Sequence, residues 1–399
     1  MPPTVSAPSD LAALAEQFLL RKDITFLNHG SFGACPRPVF EKYQAWQREL
    51  ESQPVEFLGR RTVGLLAEAR SVLAEFVGTA ADNVVYVPNI TWAMNAVANS
   101  IKLNIGDEVL ATDLEYGAVE RTWRFHCDRQ GARFVTQPIS LPVTTAEAIV
   151  DQFWAGVTER TRVITMSHIT SGTALILPVA EVCRRARAAG ILTAIDGAHA
   201  PGQIDVDVEA VGADFYCANC HKWLCSPKGA GFLYARPEAQ NLLDPLVISW
   251  GYQAYRPSSS LFIDHFQQLG TSDPAAYLSV PAAIAFQREH DWPSVRAACH
   301  ALVGNARERI GKLTGLPQLS PDSTEWWSQM STIPIPPVDA EKLHDRLGKE
   351  YQIEIPVAGA YRRPGVRISI QAYNSQRDVD RLVDALTVLL PQVLVEEPV

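Results

Sequence analysis

Ala213-Asp-Phe-Tyr-Cys-Ala-Asn-Cys-His-Lys222-Trp-Leu-Cys-Ser-Pro-Lys-Gly-Ala-Gly231 is the stretch on which the reading of this chain turns. An apolar, strand-like run at 213–217 ends in a polar turn holding His221 and Lys222, and a second such run follows at 230–235. Most lysines are solvated surface groups. One displayed at a strand end among aromatic and small residues is partly desolvated. It sheds its proton more easily, which suits Schiff-base chemistry. The surface alternative loses ground to Asp196-Gly-Ala-His199, which follows another buried run earlier in the chain.

The same stretch also matches C-x-x-C-H, as Cys217-Ala-Asn-Cys220-His221, with Cys225 nearby. Haem attachment through that pattern needs an exported chain, and a zinc site would need a second C-x-x-C, which is lacking. Cys217 falls inside the apolar run, where cysteine behaves as a small hydrophobe. The match is read as accidental, and no metal is expected.

Composition narrows the function classes. The 399 residues are 47% hydrophobic and 20% charged, enough for two domains and a large core. A net charge of −9 without any basic run argues against nucleic acid as a partner. Seven cysteines without framework spacing fit a reducing compartment. The first nine residues lack the basic start and apolar core of a signal peptide, and no apolar stretch reaches membrane-spanning length. A cytoplasmic protein with no membrane partner is the expectation.

Outward from the lysine, seven short apolar runs alternate with helical segments: 84–87, 108–111, 132–135, 162–166, 191–195, 213–217 and 230–235. Helices are expected at 91–100, 116–130, 146–157 and 179–189, the last opened by Pro178 and closed by Gly190. Such alternation predicts an α/β fold with a mainly parallel sheet covered by helices, and ligands beyond the carboxyl ends of its strands. Upstream, residues 1–8 read as a disordered tail, Ser9 or Asp10 as a cap for a helix over 11–20, and helices are expected near 38–51 and 60–76. Beyond about 264 the alternation lapses into helices near 280–289 and 294–313, strands near 331–335 and 366–370, and a closing helix over 375–390. A smaller α+β unit fits that pattern.

Several residues stand where chemistry is possible. Val85-Tyr-Val-Pro-Asn-Ile-Thr91 runs from strand to helix start, where free N–H groups and a hydroxyl suit a phosphate, although a plain N-cap is the commoner use of threonine. Asp196 is costly to bury without a cationic partner, and a protonated pyridine nitrogen is one; a helix cap or metal ligand is the alternative. Tyr116 is placed to stack on a flat ring or to be an ordinary first-turn aromatic. His199 is within reach of the same ligand, or bonds backbone. Arg367 can fork onto an α-carboxylate, or lie on the surface.

In that joint order the chain resembles the class V aminotransferase family of fold-type I pyridoxal 5′-phosphate (PLP) proteins, in its isopenicillin N epimerase-like branch. The motifs that carry the likeness are Phe26-Leu-Asn28-His-Gly-Ser-Phe-Gly33, Pro54-Val-Glu-Phe-Leu58, Ser167-His-Ile-Thr-Ser171-Gly, Asp196-Gly-Ala-His199-Ala-Pro-Gly202, His221-Lys222-Trp-Leu and Val366-Arg367-Ile-Ser369, from about residue 24 to 388. The resemblance implies a seven-stranded large PLP-binding domain at 36–265, a small α+β domain at 266–399, and an arm at 1–35 packing with the small domain. It further implies that Lys222 carries the cofactor in a Schiff base, that Asp196 pairs with the ring nitrogen, and that Tyr116 stacks on the ring. His199 would add to the cofactor contacts. Thr91, the Trp92 backbone, Asn219 and His221 would hold the phosphate. Ser171 would stand by the ring hydroxyl, where the desulfurase branch carries asparagine. Asn28 and Arg367 would bind substrate, and Thr271 would reach the phosphate of a neighbouring subunit in a homodimer.

PLP enzymes of this kind form an α-carbanion on an amino-acid substrate, and the protein decides its fate. Persulfide-type cysteine desulfuration needs a nucleophilic cysteine shortly before the carboxylate-binding arginine. None lies in 353–367, and the last cysteine is Cys299. Epimerisation is favoured, with β-elimination from a sulfur-bearing amino acid, transamination and a PLP-binding protein without turnover as the alternatives. Arg60, Arg61, Trp250, Tyr252 and Tyr255 are considered for the side-chain pocket, each with surface or packing use as the commoner fate.

Overall fold

The computed structural model describes residues 11–258, 260–358 and 364–395. All seven apolar runs form strands of one sheet: β2 (Val84–Val87), β3 (Glu108–Thr112), β4 (Arg133–Gln137), β5 (Thr161–Ser167), β6 (Leu192–Asp196), β7 (Phe215–Asn219) and β8 (Gly231–Ala235), following a short β1 at Thr25–Phe26. Their spatial order is β2-β8-β7-β6-β5-β3-β4, parallel except for β8, which runs antiparallel to β2 and β7. The fold class is α/β, as the alternation predicts.

Both faces of the sheet are buried except along edge strand β4, and the period of two along each strand divides them. Tyr216, Ala218, Phe232 and Tyr234 face one apolar cluster, with the helices Thr62–Val77 and Val179–Ala188. Phe215, Cys217, Leu233 and Ala235 face the other, with the helix Ile90–Ser100. Cys217 and Cys220 therefore belong to opposite faces. A C-x-x-C pair split across a sheet cannot close on one ion.

Beyond this sheet, β9 (Met330–Pro334), β11 (Val357–Ala358) and β12 (Gly365–Ser369) form an antiparallel sheet in the order β11-β12-β9. Strand β1 pairs in parallel with β10 (Ile353–Glu354), and Asn28 bridges Ser369, so the N-terminal arm is tied to late residues. The helix Ala340–Tyr351, capped by Asp339, was not anticipated, nor was the helix Leu261–Gln267. The helix expected from residue 60 begins at Thr62, after a π-turn over Phe57–Arg61. The first described helix covers Leu11–Ala15 only, shorter than the expected 11–20, because Phe18 leaves it to bridge Pro36. The expected tail at 1–8 and the cap at Ser9 or Asp10 lie outside the described residues. Among those described, no helix is long and apolar enough to cross a membrane.

Candidate active site

Five parallel strands end on one edge, and the polar residues singled out above follow them. Asn89 follows β2, Tyr116 follows β3, Ser167 ends β5, Asp196 ends β6, and Lys222 lies just past β7. A cavity of about 340 Å³ opens there. Thr91, Tyr116, Ser171, Asp196, His199, Asn219, His221 and Lys222 all line it. Residues scattered over more than a hundred positions meet because each sits beyond a carboxyl strand end, where backbone pairing stops and side chains are free to converge.

The Lys222 amine is half-buried and lies 3.1 Å from His199 Nε2. Burial pushes its ammonium down to about 8, against the attraction of Asp196 and with the repulsion of Arg367. Asp196 is 3% exposed, and the one hydrogen bond to its carboxyl among the described residues is donated by the Ala198 N–H at 2.8 Å. Its carboxyl is raised to about 6 by burial, which outweighs that hydrogen bond and the pull of Lys222. A buried acid held by a single donor is under-satisfied, and a cationic ring nitrogen would complete it.

The lysine loop is pinned from outside the large sheet. His29 Nε2 donates to the Lys222 carbonyl at 3.0 Å, and its Nδ1 accepts from the Tyr373 hydroxyl at 3.0 Å. Gly33, at φ +70°, passes so close that an added Cβ would meet His221 O at 2.0 Å, so only glycine fits there. This close approach accounts for the glycine at position 33, while Ser31 and Phe32 of the same arm line the cavity.

Around Thr91 the structure rearranges the donors expected for a phosphate. Asn89, not Thr91, caps the helix Ile90–Ser100, and its Oδ1 accepts the Trp92 N–H at 3.0 Å. The Trp92 N–H expected to hold a phosphate is thus engaged by the cap, which competes for that donor. Asn219 Oδ1 accepts the Ile90 N–H at 3.0 Å, which leaves the amide NH₂ as the end available to the cavity it lines. His221 Nδ1 donates to Ala230 O at 3.0 Å, and burial holds the ring down to about 4. A neutral His221 therefore presents a lone pair at Nε2. It must take a second proton before it can donate to an anion.

Arg367, on β12, is 8% exposed. Nη1 donates to Ser171 O (2.7 Å) and Oγ (3.2 Å), and Nη2 donates to Ser31 Oγ (2.9 Å) and, weakly, to Asn28 Oδ1 (3.5 Å). Nε is buried without a partner, and no carboxylate lies within ion-pair distance among the described residues. A buried guanidinium with neutral neighbours and an unspent donor can accept a carboxylate as an ion-pair partner. Asn28 also bonds Glu354, at 2.9 Å, and stands behind Ser31, off the cavity lining.

Other expected residues lie apart. Thr271 lines a separate groove of about 720 Å³ together with Trp250, Leu58 and Tyr277. Arg61 pairs with Glu49, and Arg60, Tyr252 and Tyr255 are exposed. None of the five residues considered for the side-chain pocket lines the Lys222 cavity. Three unexpected residues are at the site or against it. Lys228 lines the cavity and donates to Gly33 O at 2.9 Å. Glu115, 3% exposed, accepts from Thr112 Oγ1 (2.5 Å) and Ser167 Oγ (2.6 Å), and burial raises it to about 7. Trp223 is fully buried against His199 and His29. Only Trp223 carried a sequence signal, its place beside the lysine.

Residues 31–382 match the family model described as Aminotransferase class-V. The chain is 35% identical to an isopenicillin N epimerase of Streptomyces clavuligerus, over 96% of this chain and 99% of that protein. It is 28% identical to a probable chloroplastic L-cysteine desulfhydrase of Arabidopsis thaliana, over 92% and 83%. Among solved structures, a cysteine desulfurase of Escherichia coli superposes with a TM-score of 0.79 at 22% identity, covering 96% of this chain and 99% of that one. At that identity the likeness speaks for the fold alone.

Proposed function

The chain belongs to the aminotransferase class-V family, and from that premise we propose that it is a PLP-dependent enzyme that epimerises an amino acid, or a larger molecule carrying one, at its α-carbon. The observation that carries this reading is the meeting of Lys222 and Asp196 on one cavity. The residues present fit the cofactor: a buried acid with a single protein donor, a buried arginine with an unspent Nε, and an asparagine NH₂ beside a helix start. When bound, PLP supplies an electron sink for negative charge at the substrate α-carbon.

The protein's own parts divide the work. Lys222 would hold the cofactor covalently and, as the free amine, would take or return a proton at the α-carbon; an amine lowered to about 8 exchanges protons readily near neutral pH. Asp196 keeps the ring nitrogen charged. Tyr116, half-exposed at the start of the helix Gly117–Gln130, would lie against the ring, with His199 and Ser171 as further contacts from the same cavity. Thr91, Asn219 and a doubly protonated His221 receive the phosphate. Arg367, steadied by Asn28 and Ser31, receives the α-carboxylate.

The isopenicillin N epimerase relative supports epimerisation, and the desulfhydrase relative keeps C–S lyase as the second reading. Persulfide chemistry has little support. No cysteine lines the cavity among the described residues, and burial pushes the Cys35 thiol up to about 12, far from a reactive thiolate. Incubation with candidate amino acids in heavy water separates the readings. Epimerisation is expected to give α-deuteration with inversion and no keto acid, whereas pyruvate and ammonia would establish the lyase instead.

A homodimer goes with this proposal. Thr271 sits in its own groove under an 82% exposed Trp250, beside the exposed Val63. A second copy covering that face would take Thr271 to the partner's phosphate. Sedimentation equilibrium should return twice the chain mass, and a monomer would refute the arrangement. The seven unpaired thiols fit a cytoplasmic setting.

A further inference from the structure

We propose that Trp223 is a positioning residue which, acting through His199, favours the uncharged amine form of the Lys222 side chain. The argument starts from an indole N–H that can only donate. Trp223 Nε1 lies 3.1 Å from His199 Nδ1 and donates to it. Nδ1 is thus the acceptor of the ring, and burial among Lys222, Arg367 and His29 keeps that ring neutral. A neutral imidazole whose Nδ1 accepts carries its proton on Nε2. That Nε2–H faces Lys222 Nζ at 3.1 Å. An ammonium has no lone pair to accept with. The contact is a hydrogen bond only when the lysine is the free amine, and with an ammonium it sets N–H against N–H.

The donor end is rigid. The Trp223 carbonyl accepts from Gln287 Nε2 at 2.8 Å, and Gly202, at φ +90°, lets the chain pass where a Cβ would come within 2.4 Å of that oxygen. His29 lies against the indole with ring centroids 4.9 Å apart, and Gln203 Nε2 donates to His199 O at 2.7 Å. The first and last of these hold backbone, and the indole itself is fully buried against His29. Lys222 also faces Asp196 at the end of β6 and Arg367 on β12, while His29 and His221 flank its loop. Asp196 favours the charged lysine, so the indole–imidazole pair acts against it. Without the indole, His199 is free to take the other tautomer, whose Nε2 lone pair would accept from an ammonium.

The inference rests on the proposed role of Lys222 for its consequence, an amine ready for the cofactor aldehyde. Its test needs no cofactor. In unloaded protein, ¹⁵N-imidazole spectra read the His199 tautomer, assigned by difference from H199Q. Competitive acetylation with acetic anhydride across pH, read on the Lys222 peptide by mass spectrometry, gives the titration midpoint of the amine. Wild type should show His199 protonated at Nε2. Trp223→Phe should lose that single tautomer and raise the Lys222 midpoint by about one pH unit, roughly a tenfold loss of free amine below it. His199→Gln should hold the wild-type midpoint, because its carbonyl accepts from the indole while its NH₂ donates to the lysine. An unchanged midpoint in W223F, or a midpoint in H199Q that rises like that of W223F, would overturn the proposal. If W223F does not fold, the wild-type spectrum decides, and a proton on Nδ1 sinks the idea. A protein that titrates as described yet never takes up PLP would refute the proposed function and leave this inference standing.

Discussion

Lys222→Ala protein is expected to lack the visible absorbance band of a lysine-bound cofactor and to turn over at least about 10⁴-fold more slowly, since it loses both the covalent anchor and the proton-transfer group. The control is the other lysine of the cavity. Lys228→Ala should keep the band, because its Nζ is spent on Gly33 O. A band that survives in K222A would end the assignment. The unloaded proteins supply a second readout. The folded Lys222 titrates near 8 and the unfolded side chain near its ordinary 10.5, so between those values the unfolded chain holds the extra proton. The resulting penalty is complete below pH 8 and fades as pH rises toward 10.5. The melting advantage of K222A over wild type should narrow across that window.

Asp196→Asn is expected to keep the lysine-bound band and lower kcat by about 10²–10³-fold, the usual loss for one electrostatic partner of developing charge. The substitution is isosteric, and the bond from the Ala198 N–H is retained by the remaining oxygen. What goes is the negative charge that keeps a ring nitrogen protonated. Kinetics and a ¹⁵N measurement of that nitrogen in loaded protein check it, and a charged nitrogen with wild-type kcat in D196N would refute the pairing. Stability again follows pH. The folded carboxyl is raised to about 6 from an ordinary 3.8, so its favourable contribution is full below 3.8 and is lost as pH rises through 6. D196N should lack that decline.

Some of the site was legible from neighbours in the chain. Asp196 and Lys222 announce themselves because a charged group closing a buried apolar run is unusual over a span of a few residues. Asn219 was legible as a donor, yet which of its amide ends is free depends on Ile90, brought near only when the helix after β2 docks beside β7. The cap on Trp92 was hidden for a related reason: a capping asparagine three residues upstream takes its N–H, and the threonine hydroxyl drew attention from it. Glu115 looks like an ordinary solvated acid until Thr112 and Ser167 close on it. Trp250 and Tyr255 were weighed as pocket walls against the commoner surface or packing use. Their exposure assigns them to another face.

The residue order alone determined the α/β architecture, the seven strands of the main sheet and the edge on which chemistry gathers. Those follow from side-chain periods of two and 3.6 and from where polar groups interrupt them, all of which are local. Only the tertiary structure decided the contact of Trp223 with His199, the burial of Glu115, the unpartnered Nε of Arg367 and the separation of Thr271 from the Lys222 cavity. Each depends on ångström-scale distances between groups far apart along the chain, set by packing of the whole core and encoded in no single segment.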